Sequence, residues 1–201
     1  MAFDAVLFDY DGVLADTEGL HYECWRSVLA PRGIRLEWES YRLNCVGVSD
    51  RETLRYYATL ADPRVTPESI AGTLHAKQAM YREQVRANPP VYEETLELIR
   101  ALPVPIAVVT SSDRAEVEPV LESLGIHGCF GARVFGDEVK RVKPAPDPYL
   151  EAAARLNVAR PLVVEDSDPG EAAGRAAGFE VLRIATARDV AKLVRERLGL
   201  A

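Results

Sequence analysis

Five short apolar runs recur along the chain, and several of them end in polar residues. They are FDAVLFD at 3–9, PIAVVT at 105–110, ARVFG at 132–136, PLVVED at 161–166 and EVLRIA at 180–185. Short runs of this kind, rich in aliphatic residues, are typical of strands that are buried on both faces of a parallel sheet. The pattern therefore predicts five strands of one sheet.

Segments with helical periodicity separate these runs. They lie at 91–102, 146–156 and 171–178, and the last of them ends at Gly178, a residue suited to a helix C-terminus. Strands that alternate with helices form βαβ units. We therefore expect an α/β fold, with a Rossmann-like parallel sheet and helices on both of its faces.

One long segment interrupts this alternation, because it contains no convincing strand. It carries four amphipathic helical patterns instead, at 17–31, 36–43, 50–60 and 67–87, separated by Pro31-Arg32-Gly33, Asp62-Pro63 and Thr66-Pro67. This arrangement predicts an inserted helical cap domain at 15–87. The Rossmann-like core domain would then comprise 1–14 and 88–201, and Pro89-Pro90 would mark the return to the sheet.

The pattern around 116–124 allows two interpretations. Asp113 is suited to a helix N-cap with Glu116 as its capping-box partner, but Pro119 would then lie inside the helix and remove a hydrogen bond. Alternatively, the helix begins late, with Pro119 in its first turn. The residues leave both possibilities open.

Composition narrows the class of protein. The 201 residues carry a formal net charge of −7, which disfavours nucleic acid or an anionic membrane as a partner. Residues 1–9 contain no basic stretch followed by a long apolar run, so we expect neither a signal peptide nor a transmembrane span. The three cysteines form no metal-ligand or disulfide pattern. These features favour a cytoplasmic protein, and its size permits a monomer.

Polar residues follow three of the predicted strands. In a parallel sheet, ligands bind beyond the carboxyl ends of the strands, so these residues are expected to form one small site together with a lysine from the loop at 143–144. The set comprises Asp9, Asp11 and Gly12, then Thr110, Ser111 and Ser112, then Lys143, and finally Glu165, Asp166, Ser167 and Asp168.

This set suits phosphoryl transfer. Carboxylates bind Mg²⁺ through oxygen, while a lysine, a hydroxyl and backbone N–H groups stabilise phosphoryl oxygens. One carboxylate can attack phosphorus, and a second can protonate the leaving oxygen and later activate water. An Asp-Gly turn after a strand needs no such function, and Thr110 alone would serve as a helix N-cap. The combination of all three strand ends favours the catalytic interpretation.

Four segments carry a resemblance to a known family. FDYDGVLADT, VVTSS, VKPAPDPY and VVEDSDPGEAAGRAAG resemble, in order and spacing, the four motifs of the haloacid dehalogenase superfamily. More narrowly, the chain resembles the β-phosphoglucomutase-like phosphatases, in which a small helical cap follows the first strand. The resemblance covers nearly the whole chain.

The resemblance implies a role for each matching residue. Asp9 matches the nucleophile, and Asp11 matches the general acid/base that also offers a backbone carbonyl to the metal. Lys143 matches the lysine that bridges nucleophile and phosphate. The other matches are the phosphate-binding Thr110 hydroxyl and Ser111 amide, the metal-binding Asp166, and Glu165 as a further metal ligand, directly or through water.

The cap determines which substrate the resemblance implies. His21 and Lys77 match the mutase pattern, and both would support Asp11 or a distal phosphate. Asp50, however, stands where the mutase has an arginine for the second phosphate of its substrate, and Arg51 follows one place later. A mutase interpretation would require Arg51 and Lys77 to face the cleft.

We therefore expect a Mg²⁺-dependent phosphatase that hydrolyses a small phosphorylated metabolite, in particular a sugar phosphate, through an aspartyl-phosphate. A sugar-phosphate mutase is the alternative. Hydrolytic dehalogenation is disfavoured, because that chemistry uses neither the acid at Asp11 nor the metal site. A non-catalytic phospholigand-binding module would lack the nucleophile or the lysine, and this chain retains Asp9 and Lys143.

Overall fold

The computed structural model describes residues 2–60 and 71–200, and its centre is a five-stranded parallel sheet. The strands are β1 (Ala5–Phe8), β2 (Ile106–Val109), β3 (Ala132–Val134), β4 (Pro161–Glu165) and β5 (Glu180–Arg183). They lie in the order β3-β2-β1-β4-β5, so β1 is central and β2 and β4 are its neighbours. The five predicted strands are confirmed, each within the run that predicted it.

Helices surround the sheet and also fill the interval between β1 and β2. They are α1 (Glu18–Leu29), α2 (Trp38–Asn44), α3 (Asp50–Leu60), α4 (Ala71–Ala87), α5 (Glu93–Ala101), α6 (Arg114–Ser123), α7 (Asp147–Leu156), α8 (Asp168–Ala176) and α9 (Val190–Leu198). The predicted start of α4 at 67–70, and the breaks at Asp62-Pro63 and Thr66-Pro67, lie outside the described residues.

The two faces of the sheet carry separate apolar clusters, as successive side chains of a strand point to opposite faces. Val6 and Phe8 of β1 pack with apolar residues of α5, α6 and α9. Leu7 lies on the other face with Tyr149 of α7 and Ala173 of α8. The expected Rossmann-like arrangement with helices on both faces is therefore confirmed.

The structure decides between the two interpretations of α6 and moves the start of α8. Helix α6 begins early, at Arg114, and contains Pro119, but the Asp113 side chain makes no capping hydrogen bond. The predicted capping box is therefore wrong, because Glu116 is buried and points towards Lys77 of α4. Helix α8 begins at Asp168, earlier than its pattern suggested, because Ser167 caps it by accepting a hydrogen bond from the Gly170 N–H.

A third apolar cluster belongs to the segment between β1 and β2. Trp25 and Leu29 of α1, Tyr41 of α2 and Leu54 of α3 are among its buried members. Cys24 of α1 and Tyr81 and Val85 of α4 belong instead to the cluster that contains Val6 and Phe8 of β1. The segment thus has an interior of its own and rests on the sheet through two helices.

The chain enters and leaves this helical segment at neighbouring points. The Asp16 N–H donates a hydrogen bond to the Pro90 carbonyl at 2.8 Å, so the two connecting backbones lie side by side. None of the helices formed by the described residues has the length and apolar character that crossing a bilayer would require.

Candidate active site

The carboxyl ends of β2, β1 and β4 bring the predicted site residues together. Asp9 follows β1, and its N–H donates to the Val164 carbonyl of β4 at 3.0 Å. Gly12 then turns the chain away with a φ of +72°. A Cβ at this position would lie 1.9 Å from Asp166 Oδ2, so only glycine allows the two loops to approach this closely.

Lys143 links the ends of all three strands. Its Nζ lies 2.8 Å from Asp9 Oδ1 and donates to Glu165 Oε1 at 2.6 Å and to the Val109 carbonyl at 2.9 Å. The side chain is 1% exposed. Burial alone would lower the pKa of Lys143, but the Asp9 and Glu165 carboxylates outweigh burial and raise that pKa. Lys143 therefore remains charged and fixed in position.

Glu165 is the most completely hydrogen-bonded carboxylate of the site. Its Oε1 accepts from Lys143 and from the Tyr149 hydroxyl at 2.7 Å. Its Oε2 accepts from the N–H of Asp166 and from both the N–H and the hydroxyl of Ser167. These donors and Lys143 outweigh the effect of burial and lower the pKa of Glu165. The geometry thus makes Glu165 an ionised anchor for Lys143, while its predicted metal role stays a prediction.

Asp9, Glu165 and Asp166 form a cluster that suits a hard cation. One carboxylate oxygen from each lies within 4.8 Å of the others. Burial and the Glu165 carboxylate raise the pKa of Asp9 well above its usual range and that of Asp166 to about 7. A divalent cation would offset this mutual repulsion, and oxygen ligands are those that Mg²⁺ prefers. The residues present therefore fit a magnesium site.

Asp11 lies between the sheet and the helical segment and accepts hydrogen bonds from both. Thr17 Oγ1 and His21 Nε2 lie 2.5 and 3.0 Å from its Oδ1, and Ser112 Oγ lies 2.6 Å from its Oδ2. Burial would raise the pKa of Asp11, but His21, Ser112 and Thr17 hold that pKa well below its usual range. This arrangement stabilises the carboxylate, the form that can accept a proton.

His21 has a defined orientation, because its two ring nitrogens have different partners. Lys77 Nζ lies 2.7 Å from His21 Nδ1, and an ammonium group has only protons to offer. Nδ1 is therefore the acceptor, and the neutral ring carries its proton on Nε2, which donates to Asp11. The ring also stacks on Tyr81 at a centroid distance of 4.1 Å.

Lys77 is held by two carboxylates in addition to the histidine. Its Nζ donates to Asp50 Oδ2 at 2.6 Å and lies 3.8 Å from Glu116 Oε1. Trp25 Nε1 donates to the other oxygen of Asp50. Lys77 is fully buried, so its charge is balanced by protein groups and does not face solvent.

The loop after β2 supplies hydroxyl groups to the site. Thr110 Oγ1 accepts from the Ser112 N–H at 3.0 Å and lies 3.5 Å from Asp11 Oδ2. The Ser111 hydroxyl donates to the Gly47 carbonyl at 3.4 Å. Thr110 is not the helix N-cap, since Asp113 occupies that position in α6.

These groups surround a small cavity of about 30 Å³, which is room for about one water molecule. One wall consists of Asp9, Asp11, His21, Thr110, Ser111 and Ser112. Its other wall consists of Glu18, Tyr41, Cys45, Gly47, Val48, Asp50 and Thr53. A larger open groove of about 930 Å³ runs past Asp166 and Gly12 and shares Glu18 and Val48 with the cavity.

Most of the residues singled out from the sequence converge here, and Arg51 does not. Its side chain is 60% exposed and lies 3.9 Å from Asp113, away from the cavity wall. Sequence reasoning missed the contact of Thr17 with Asp11, because a threonine before a helix favours a capping role. Its hydroxyl makes no capping hydrogen bond.

Comparisons with known proteins show which family the chain is similar to. The family model for haloacid dehalogenase-like hydrolases matches residues 6–184. The phosphorylated carbohydrates phosphatase of Thermotoga maritima is 35% identical over 180 residues, covering 88% of this chain and 82% of that protein. The fructose-1-phosphate phosphatase YqaB of Escherichia coli is 31% identical over 189 residues, covering 90% of this chain and 96% of that protein.

One solved structure is also similar over most of the chain. A mutant of CbbY from Rhodobacter sphaeroides, in complex with xylulose-1,5-bisphosphate, superposes with a TM-score of 0.78 at 26% identity. The match covers 89% of this chain and 84% of that one.

Proposed function

The chain belongs to the haloacid dehalogenase-like hydrolases, and from this premise we propose that it is a Mg²⁺-dependent phosphatase of sugar phosphates that uses Asp9 as its nucleophile. Its phosphatase relatives make it a phosphomonoester hydrolase. The observation that carries the mechanism is the buried contact of 2.8 Å between Lys143 and Asp9 at the carboxyl end of β1.

The first half-reaction transfers the phosphoryl group to the protein. A carboxylate oxygen of Asp9 attacks phosphorus, the bond to the leaving oxygen breaks, and that oxygen takes a proton from Asp11. Lys143, the Thr110 hydroxyl and the Ser111 N–H stabilise the phosphoryl oxygens. Asp9, Asp166 and the Asp11 carbonyl would hold Mg²⁺, which would neutralise charge on the phosphoryl group.

The second half-reaction returns the enzyme to its starting state. Asp11, now a carboxylate, accepts a proton from water, whose oxygen attacks phosphorus as the bond to Asp9 breaks. Inorganic phosphate leaves. The hydrogen bonds from Thr17, His21 and Ser112 stabilise this basic form of Asp11. They would have to weaken for Asp11 to carry the proton that the first half-reaction requires.

We further propose that residues 15–87 act as a cap domain that opens and closes over the site. The support is the separate apolar cluster of this segment, its adjacent connections at Asp16 and Pro90, and a cavity too small for a sugar phosphate. Closure would exclude water and strengthen the electrostatic interactions within the site. We also propose that the protein is a cytoplasmic monomer.

Hydrolysis is favoured over the mutase alternative by the positions of two basic residues. A mutase must bind phosphate at both ends of its substrate. Arg51 lies outside the cavity wall, and Lys77 is neutralised by Asp50 within the protein. Neither is placed to hold a second phosphate in this arrangement.

The direct test is a screen of sugar phosphates for released phosphate, run beside an assay for isomerisation of β-glucose 1-phosphate. We expect net phosphate release from at least one sugar phosphate and no isomerisation. EDTA should abolish the release and added Mg²⁺ should restore it, because the acid cluster needs a cation to accept an anionic substrate. Isomerisation without net hydrolysis would select the mutase instead, and activity in EDTA would refute the metal assignment.

Asp11→Asn is expected to slow hydrolysis of a sugar phosphate by about 10²–10⁴-fold, because it removes the group that protonates the leaving oxygen. An aryl phosphate has a leaving group that needs little protonation, so its phosphorylation step should be affected much less. The measurement is the pre-steady-state rate of the first turnover for both substrates. Equal losses for the two substrates would contradict the acid assignment.

A further inference from the structure

The wall of the cavity that faces the catalytic groups is acidic and rich in hydroxyl groups. Glu18 of α1, Tyr41 of α2, and Asp50 and Thr53 of α3 all line it. The Tyr41 hydroxyl donates to Glu18 Oε2 at 3.2 Å. Among the described residues that line the cavity, none is a lysine or an arginine.

The electrostatic field in this part of the cavity opposes additional negative charge. Burial raises the pKa of Glu18 well above its usual range, and the Asp11 and Asp166 carboxylates raise it further. A carboxylate at Glu18 is therefore already disfavoured by its neighbours. The same burial would disfavour any second anionic group that a substrate brought to this wall, because no described lysine or arginine lines it.

Three cations around the cavity are already paired with carboxylates of the protein. Lys143 contacts Asp9 and Glu165 on the reacting side. Lys77 contacts Asp50 and Glu116 behind the wall. Arg51 is exposed and faces Asp113. Among the described residues that line this cavity, the anion-stabilising groups thus lie only at the position of the reacting phosphate.

We infer that the enzyme selects phosphomonoesters whose non-reacting part is uncharged and rich in hydroxyl groups, and that it discriminates against substrates with a second phosphate. This inference rests on the proposed function and specifies its substrate class. Glu18 and Asp50 supply acceptors for sugar hydroxyls, and Tyr41 and Thr53 supply hydroxyl groups that can donate or accept. Like charges brought together at a binding surface are a general means of excluding the wrong ligand.

The test uses competition, so that it does not depend on which sugar phosphate is turned over. Hydrolysis of p-nitrophenyl phosphate at saturating Mg²⁺ is inhibited by glucose 6-phosphate or by glucose 1,6-bisphosphate, and by fructose 1-phosphate or fructose 1,6-bisphosphate. We expect the inhibition constant of each bisphosphate to exceed that of its monophosphate by about 100-fold. The ratio, rather than either constant, is the measured quantity.

Variants of the wall then assign this ratio to particular residues. Asp50→Asn removes one carboxylate beside Lys77 with little change of shape, and it should lower the ratio about 10-fold. Val48→Lys adds a cation at a half-buried position of the same wall, so it should lower the ratio in the same direction, and it provides a second measurement if Asp50→Asn folds poorly. Glu23→Gln, on the exposed side of α1 beside Arg26, is the control with an equal nominal charge change and should leave the ratio unaltered.

The outcomes separate this inference from the function on which it rests. If p-nitrophenyl phosphate is not hydrolysed at all, the proposed function fails and the inference fails with it. If hydrolysis occurs but bisphosphates compete as well as monophosphates, the inference alone is overturned. The same conclusion follows if both wall variants leave the ratio at the value of the Glu23→Gln control.

Discussion

Asp9→Asn is expected to lower kcat for every phosphomonoester by about 10⁴-fold or more, because loss of a covalent nucleophile removes the pathway itself. The amide keeps the size of the side chain and its acceptor oxygen, so the contact with Lys143 can remain. The fold should therefore persist. Released phosphate and the far-UV circular dichroism spectrum are the two measurements.

Asp168→Asn is the matched control for this variant. Asp168 follows β4 in the same group of strand-end acids, but its side chain is 96% exposed and pairs with Arg183. We expect its kcat to remain close to that of the unmodified enzyme. An Asp9→Asn protein that turns over an aryl phosphate at the normal rate would refute the nucleophile assignment, whatever the behaviour of the control.

Lys143→Met is expected to affect both stability and catalysis. It leaves the buried Asp9 and Glu165 carboxylates without their shared cation, and breaking a buried pair in this way costs about 3–5 kcal/mol of the free energy of unfolding. It also removes a charge aimed at the phosphoryl oxygens, for which we expect kcat to fall by about 10²–10³-fold. Urea unfolding followed by fluorescence gives the first quantity, and initial rates give the second.

The comparison for Lys143→Met is Lys140→Met, an exposed lysine three residues earlier in the same loop. This control should change neither the unfolding midpoint nor kcat appreciably. Mg²⁺ should recover part of the stability lost in Lys143→Met, because a cation in the acid cluster compensates the unpaired carboxylates. If Lys143→Met unfolds at the same urea concentration as the control, the buried ion pair does not contribute as described.

The parts of the site that follow strands could be predicted from the sequence. Asp9, Thr110 and Asp166 each come directly after an apolar run or one residue beyond it, and parallel strands place their carboxyl ends at one edge of the sheet. To predict this proximity, it is enough to know that the strands are parallel and belong to one sheet. The prediction therefore succeeded without any knowledge of side-chain packing.

Contacts between distant helices could not be predicted in the same way. Asp50 stands where the resemblance suggests a substrate-binding arginine, and its sequence position alone implies repulsion of a phosphate. In the structure it pairs with Lys77, 27 residues away on another helix. This pairing depends on the angle and register at which α3 and α4 pack, which a local pattern of residues does not specify.

Helix α9 and the start of α6 show two further limits. The buried residues Val190, Val194 and Leu198 of α9 recur every four positions, a helical signal that the sequence analysis did not use. In α6 the local capping signal at Asp113 competed with Pro119. Burial of Glu116 against α4 accompanies a helix that tolerates the proline in its interior.

The chain enters the helical segment near Asp16 and leaves it near Pro90, and these two points are hydrogen-bonded to each other. This proximity would allow the segment to be replaced by another one. Because the chain leaves and re-enters the sheet at adjacent points, a segment of different length could be joined there without changing the register of any strand. Only the residues of α1 and α4 that belong to the apolar cluster around Val6 and Phe8 would have to be retained. We therefore expect that a grafted segment would change the ligand preference proposed here, while the residues at the strand ends are inherited intact.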